Sequence, residues 1–285
     1  MKKNKWLPYL FVSPYLLHFL VFVAFPVFFS LFLTFHKWNI IAPVEYVGMA
    51  NYSRMFHDRL FWKAIYNTLK FLIIHIPLQL IFALALAEFL NQNIKLKGFY
   101  QAAFFLPVIV SGVVVTILWQ QLFGFDSGLI NKLLVMLGIG KVGWLIDPDI
   151  AMGSIAIMAT WKNVGLYVIL FLVGLQTVPP SYYEAAEIEG ASHWQKFRYI
   201  TLPLINPTIF MVVILSTIGG FSLFIEPYIM TGGGPLNSTL SSVLYIYKQA
   251  FQYYHMGYSA TLGFFFAFLI LLVIMIQKKY IETND

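Results

Sequence analysis

Long apolar runs alternate with short polar stretches along the whole chain, at about Leu10 to Phe35, Leu69 to Leu90, Ala102 to Phe123, Ile150 to Leu175, Ile205 to Met230 and Tyr258 to Gln277. A helix of about 20 apolar residues crosses a hydrocarbon layer of roughly 30 Å, so each run is read as one membrane span. The pattern predicts an all-α membrane protein with six transmembrane helices. Residues 1–285 then form one transmembrane domain, with the first span at about 10–35 and a core bundle over about 66–280. Lys2, Lys3 and Lys5 could begin a secretion leader, but the apolar run behind them is too long and lacks a small-residue cleavage site. It is read as a span.

Composition fixes the solvent. Of the 285 residues, 60% are hydrophobic and 11% charged, against about 25% charged in soluble domains. The net charge of +6 is scattered through loops and chain ends, so anionic lipid headgroups are its counter-charge and nucleic acid is not. With no cysteine, disulfides, thiolate metal sites and thiol nucleophiles are excluded. His18 and His75 stand alone in apolar runs without a second spaced ligand, which argues against a metal site and for packing. No cluster of nucleophile, base or metal ligands lies inside the spans, so no catalytic residues are assigned. An even number of spans puts both termini on one side, and Lys2, Lys3, Lys5, Lys278 and Lys279, with Lys95, Lys97, Lys196 and Arg198, mark that side as cytoplasmic. Pro14, Pro26, Pro77, Pro107 and Pro227 lie within spans, where kinks serve either packing or hinge motion.

The longest cytoplasmic loop, residues 176–207, carries explicit local signals. Pro179 and Pro180 end the preceding span, Ser181 and Glu184 have capping-box spacing, and Gly190 supplies a left-handed end. A helix over about Tyr182 to Glu189 is predicted. Ser192 and Gln195 repeat the spacing, and Pro203 is expected to stop a second helix after Ile200. Helices this short are marginal in water, which implies packing against a partner or against the membrane interface. Ala185 and Ala186 permit close approach, and Glu184, Glu187 and Glu189 offer carboxylates to basic groups.

The run Glu184-Ala185-Ala186, then Gly190, Ile200, Leu202 and Pro203, resembles the EAA loop of binding-protein-dependent ATP-binding-cassette importer permeases. Glu189 stands where that family commonly has aspartate, which keeps the charge. Thr231-Gly232-Gly233-Gly234-Pro235, on the outer side, is similar to a loop of the maltose and glycerol-phosphate type permeases, in the first member of the permease pair. Consecutive glycines also suit an ordinary tight turn. Phe22 to Trp38, Val47 to Tyr52, Asn67-Thr68, Phe104 to Pro107 and Trp161 to Tyr167 extend the likeness over nearly the whole chain.

The resemblance implies the type I importer permease fold, with Glu184 to Gly190 as the helix that seats in the ATPase. It implies a second homologous permease, two ATPase subunits that hold ATP and Mg, and an extracellular or periplasmic sugar-binding protein. The location implied is a prokaryotic inner or cell membrane, with no cofactor on this chain. The absence of a G-x-x-x-x-G-K-[ST] run agrees with a nucleotide site elsewhere. Candidate path residues are polar, aromatic or small groups inside spans: Trp161, Asn163, Tyr167, Gly219, Gly220, Ser222 and Glu226. In the maltose permease the fifth span holds sugar-binding asparagines, whereas Gly219, Gly220 and Leu223 fall in that stretch here. Gly219 and Gly220 could equally be close-packing points. The alternatives are a permease for glycerol phosphate and an ion-coupled secondary transporter. The latter would show midplane acids and inverted repeats, which the sequence lacks.

Overall fold

The computed structural model describes residues 7–281. Lys2, Lys3 and Lys5, part of the orientation argument, lie outside the described residues. In chain order the elements are α1 (Leu7–Phe19), α2 (Phe25–Leu33), β1 (His36–Lys37), β2 (Glu45–Tyr46), α3 (Ala50–His57), α4 (Arg59–Asn91), α5 (Lys97–Ile109), α6 (Gly112–Leu122) and α7 (Leu129–Met136). There follow α8 (Ala151–Gln176), α9 (Pro180–Ile188), α10 (His193–Lys196), α11 (Leu202–Leu204), α12 (Asn206–Phe221), α13 (Ile225–Met230), α14 (Ser242–Tyr247) and α15 (Met256–Ile281). Wide π turns occupy Leu20–Ala24, Phe197–Thr201 and Lys248–Gln252.

Among the described residues, five helical stretches are long and apolar enough to cross a membrane: Tyr9–Leu33, Arg59–Asn91, Ala151–Gln176, Asn206–Met230 and Met256–Lys279. A further apolar pair, α5 and α6, meets at 98° and makes a sixth crossing if the two form one broken span rather than a re-entrant loop. Pro107 marks a kink in this run, but the apolar composition continues straight through the bend and gives no sign of its size. Pro107 withholds the N–H that would close the last turn of α5. Val110 and Ser111 then turn extended, at ψ 142° and 130°, before α6 begins. Pro77, by contrast, sits inside the unbroken 33-residue α4. Pro26 directly follows the π turn at Leu20–Ala24, where a widened ladder makes room for its ring.

The chain forms two compact units, one of residues up to Arg59 with Tyr245–Phe268, the other of Leu60–Leu244 with the residues from Leu269 on. In the first, β1 and β2 pair antiparallel. The Asn51 amide ties the end of the first span by donating to Thr34 O at 2.9 Å and His36 O at 3.0 Å. The second unit is organised around α8, whose Val164, Val168, Phe171 and Leu175 pack with Ala83, Ala87 and Leu90 of α4 and Val212 of α12. Small residues set the closest approaches. A Cβ on Gly165 would overlap the Phe104 carbonyl of α5, and one on Gly174 would overlap Thr208 of α12.

Candidate functional site

Inside the second unit α4, α8, α12 and α13 enclose a cavity of about 230 Å³. Six of the seven expected path residues line it: Asn163, Tyr167, Gly219, Gly220, Ser222 and Glu226. Asn163 and Tyr167 are four positions apart and so share a face of α8. The Asn163 amide donates to Ala159 O at 2.9 Å, which fixes its rotamer and leaves its carbonyl oxygen toward new partners. The two glycines differ. A Cβ on Gly220 would overlap Leu72, so this glycine is a packing point, whereas one on Gly219 would meet only the Tyr167 hydroxyl, at 3.9 Å. Gly219 therefore makes room. The chain breaks between α12 and α13 at Ser222, whose hydroxyl donates back to Ile218 O at 3.1 Å. This break puts Glu226 in the first turn of α13.

Trp161 is the exception. Successive residues of a helix are rotated by roughly 100°, so Trp161 lies roughly 200° around α8 from Asn163. It packs on Trp119 with ring centroids 5.5 Å apart, is 46% exposed, and lines a separate apolar cavity with Phe82, Phe104 and Pro107.

The structure adds Phe71, His75, Lys162 and Ser216 to the wall. Lys162 and Ser216 carry the signal of a polar group within a span. His75, expected in packing, is indeed buried, stacked on Phe71 at 4.9 Å and within 2.9 Å of the Thr160 hydroxyl through Nδ1. It also faces the cavity. One turn further along α4, Gln79 is fully buried with neither amide atom hydrogen-bonded. A cation, a carboxylate, an amide and hydroxyls thus converge on one small space. That set offers donors and acceptors of the kind a neutral polyhydroxyl solute can pair with, and Lys162 and Glu226 line it together.

The loop 231–235 is folded rather than loose. Gly232 and Gly233 take φ of +62° and +94°, the region that favours glycine. The Thr231 and Thr239 hydroxyls lie 2.7 Å apart, and Thr239 donates to Gly234 O at 2.6 Å. Gly234 and Pro235, with Gln120 and Trp144, border a second cavity of about 490 Å³.

In the loop over residues 176–207, Gly190 has φ +78° and ends the first helix as expected. The Ser192 capping box forms, with Gln195 N donating to Ser192 Oγ at 3.3 Å and Ser192 N to Gln195 Oε1 at 2.7 Å. Two expectations are corrected. Ser181 does not cap α9: Pro179 is the N-cap and Pro180 occupies the first turn, where a missing N–H removes no helical bond. Pro203 does not stop the second helix either. The π turn at Phe197–Thr201, closed by Leu202 N to Phe197 O, widens the ladder, and helix resumes through Pro203 to Leu204.

The α9 helix is held by the Tyr183 hydroxyl, 2.9 Å from Thr201 Oγ1, and by a 2.6 Å ion pair of Lys196 with Glu187. Lys196 donates to the Glu187 carboxyl and holds it below its ordinary range by hydrogen bonding and charge. Glu184, Ala185, Glu187, Glu189 and Gly190 are exposed, Ala186 is half-buried, and Ile188 is 88% exposed.

Residues 79–282 match the family model described as binding-protein-dependent transport system inner membrane component. The arabinooligosaccharides transport system permease protein of Bacillus subtilis is 36% identical over 97% of this chain and 88% of its own length. The lactose transport system permease protein of Rhizobium radiobacter is 35% identical over 96% of this chain and 92% of its own. In fold, the chain is similar to a chain of a bacterial alginate ABC transporter solved with an alginate pentasaccharide-bound periplasmic protein. The TM-score is 0.83 at 24% identity, covering 97% of this chain and 94% of that one.

Proposed function

The chain belongs to the family of binding-protein-dependent transport system inner membrane components, and from that premise we propose that it is the permease subunit that carries a carbohydrate inward through an ATP-binding-cassette importer. It is a multi-pass membrane transport component and not an enzyme. The observation that carries the carbohydrate reading is the cavity at Asn163, Tyr167 and Gly219, whose amide, hydroxyl and carboxylate groups suit a neutral sugar. Relatives that transport arabinooligosaccharides and lactose support it. Glu226 beside Lys162 counts against glycerol phosphate, whose charge a purely cationic wall would favour. At about 230 Å³ the cavity is smaller than the roughly 300–1,000 Å³ of drug-sized ligand sites. It suits one sugar ring, or one wall of a path completed by a second homologous permease.

In this reading ATP and Mg reside on two ATPase subunits, and an external binding protein delivers the sugar. Both termini lie in the cytoplasm. Ile188 and the carboxylates of Glu184 and Glu189 are the surface on which the ATPase seats, because an exposed apolar side chain flanked by acids suits a basic-rimmed groove. Closure of the ATPases pulls α9, and through Tyr183 and Thr201 the chain leading into α12, whose Ser216 and Gly219 line the cavity. Alternating access follows.

The test is sugar-stimulated ATP hydrolysis by the reconstituted complex over a panel of sugars, comparing the native chain with Glu184→Lys and Asn163→Ala. Glu184→Lys should abolish stimulation by every sugar with assembly intact, and Asn163→Ala should raise the sugar concentration needed. Unchanged stimulation in both would overturn the assignments. Solute uptake by this chain in the absence of ATP would instead establish a secondary transporter.

A further inference from the structure

The first unit contains a cavity lined by none of the residues assigned to the sugar path, about 650 Å³ in volume, between the chain leaving α2, helix α3 and the start of α15. Its wall carries Lys37, Arg54 and His255 beside the rings of Trp38, Tyr253 and Tyr258. Buried polar groups hold this wall in shape. Met256 N–H donates to Trp38 O at 3.0 Å, and the Asp58 carboxylate accepts the Tyr245 and Tyr258 hydroxyls, each at 2.5 Å. With Tyr258 fixed, the Arg54 guanidinium lies over its ring, 4.0 Å from the centroid, and Nη2 comes within 3.5 Å of His255 Nδ1.

Among the described residues neither Lys37 nor Arg54 has a carboxylate within ion-pair distance. The acidic side chain on the wall is Glu45, opposite Lys37 in the β1–β2 pair. Burial and the positive charges of Arg54 and Lys37 hold His255 below its ordinary pKa, as a cationic field would. The cavity therefore presents two charge-bearing donors to an anion.

Its position selects the kind of anion. The spans Tyr9–Leu33 and Met256–Lys279 end and begin here, at the level where aromatic side chains meet lipid headgroups. On the approach along α2, the rings of Phe25, Phe28 and Phe32 are exposed. A soluble anion would leave that apolar flank unused, and a neutral sugar would leave both cations unpaired. We propose that this cavity binds the phosphodiester headgroup of an anionic phospholipid. Arg54 and Lys37 contact the phosphate oxygens, Trp38 and Tyr253 lie at the depth of the glycerol, and an acyl chain runs along α2.

In the test, the full chain purified in neutral detergent is titrated with dioleoylphosphatidylglycerol, dioleoylphosphatidylcholine and glycerol 1-phosphate, and bound molecules are counted by native mass spectrometry. A photoactivatable phosphatidylglycerol maps the contact. Phosphatidylglycerol should bind severalfold tighter than phosphatidylcholine and label peptides containing residues 36–39 or 253–258, while glycerol 1-phosphate should not bind at the same concentrations. Lys37→Gln and Arg54→Gln should each weaken phosphatidylglycerol by about fivefold, the value of one interfacial cation. Arg54 packs on Tyr258, so if its variant does not fold, the exposed Lys37→Gln carries the test alone. Equal binding of the two lipids, or phosphatidylglycerol affinity unchanged in the folded variants, would overturn the proposal. Glycerol 1-phosphate binding as tightly as the lipid would do so as well, by making this a site for soluble anions.

Discussion

At the scale of single residues, the molecule separates glycines that serve packing from glycines that open the cavity proposed as the path. Gly165 and Gly219 are both helical glycines, and Ala is the better helix former, yet their substitutions should behave oppositely. A methyl at Gly165 overlaps the backbone of Phe104, which cannot yield without shifting α5, so Gly165→Ala should prevent recovery of folded protein from the membrane. Gly219→Ala should fold normally and lower transport, because the new methyl enters the cavity 3.9 Å from the Tyr167 hydroxyl. Gel filtration and uptake measured on the same preparations separate the two effects. Gln79 poses the inverse case. A fully buried amide with no hydrogen bond costs about 1–3 kcal/mol, so its presence calls for an explanation, and we infer that the amide finds its partner in another state of the transport cycle. Gln79→Leu should therefore raise the thermal midpoint in detergent while lowering transport. A lower midpoint would mean that the amide is satisfied in the resting state after all.

At the scale of elements, short-range chemistry was legible in the sequence wherever one residue type decides the outcome. Gly190 and the Ser192–Gln195 box act through their own backbone, and both appear as expected. The continuation through Pro203 was illegible because a π turn five residues long relieves the proline, and nothing in Phe197–Thr201 announces a π turn. The bend between α5 and α6 was legible only as a kink at Pro107; its size was not, since Val110 and Ser111 are as compatible with helix as with extended backbone. The misplacement of Trp161 has another cause. With α8 buried over most of its circumference, apolar residues occur all round it, and periodicity cannot say which side faces the cavity. The loop over residues 176–207 gives two tests. Ser192→Ala removes a cap worth about 1 kcal/mol, so amide exchange over residues 193–196 should speed up severalfold. The Glu187 carboxyl lies below its ordinary value of 4.5, held there by Lys196. A depressed carboxylate stabilises above its unfolded value and loses that contribution as pH falls through the folded one. Protection factors in α9, the intrinsic exchange rate at each pH divided by the observed one, should then be steady near neutral pH and fall only below about 4.5, whereas Glu187→Gln should lower them already at neutral pH.

At the scale of the whole molecule, the arrangement is informative in what it leaves uncovered. Only 6% of the Tyr9–Leu33 window is buried against 61% of the Ala151–Gln176 window, so the first span meets lipid or another subunit along nearly its whole length. As the permease proposed above, such a chain is one part of an assembly in a membrane, and its orientation decides which end meets the proposed ATPase. Lysine placement argues that Gln92 and the α9–α10 loop face the cytoplasm and that Leu236, beyond the folded glycine loop, faces outward. The sequence has no cysteine, so each introduced thiol is this chain's sole target of a maleimide, and label on the chain purified after the reaction reports that position alone. Leu236 is 78% exposed and Gln92 lies in the exposed turn after α4, so neither thiol disturbs packing. With a membrane-impermeant maleimide, Leu236→Cys should label in intact cells stripped of any outer barrier, and Gln92→Cys only after the membrane is opened. The reverse pattern would invert the protein and place α9 on the side without ATP, and no coupling through Glu184 could then operate.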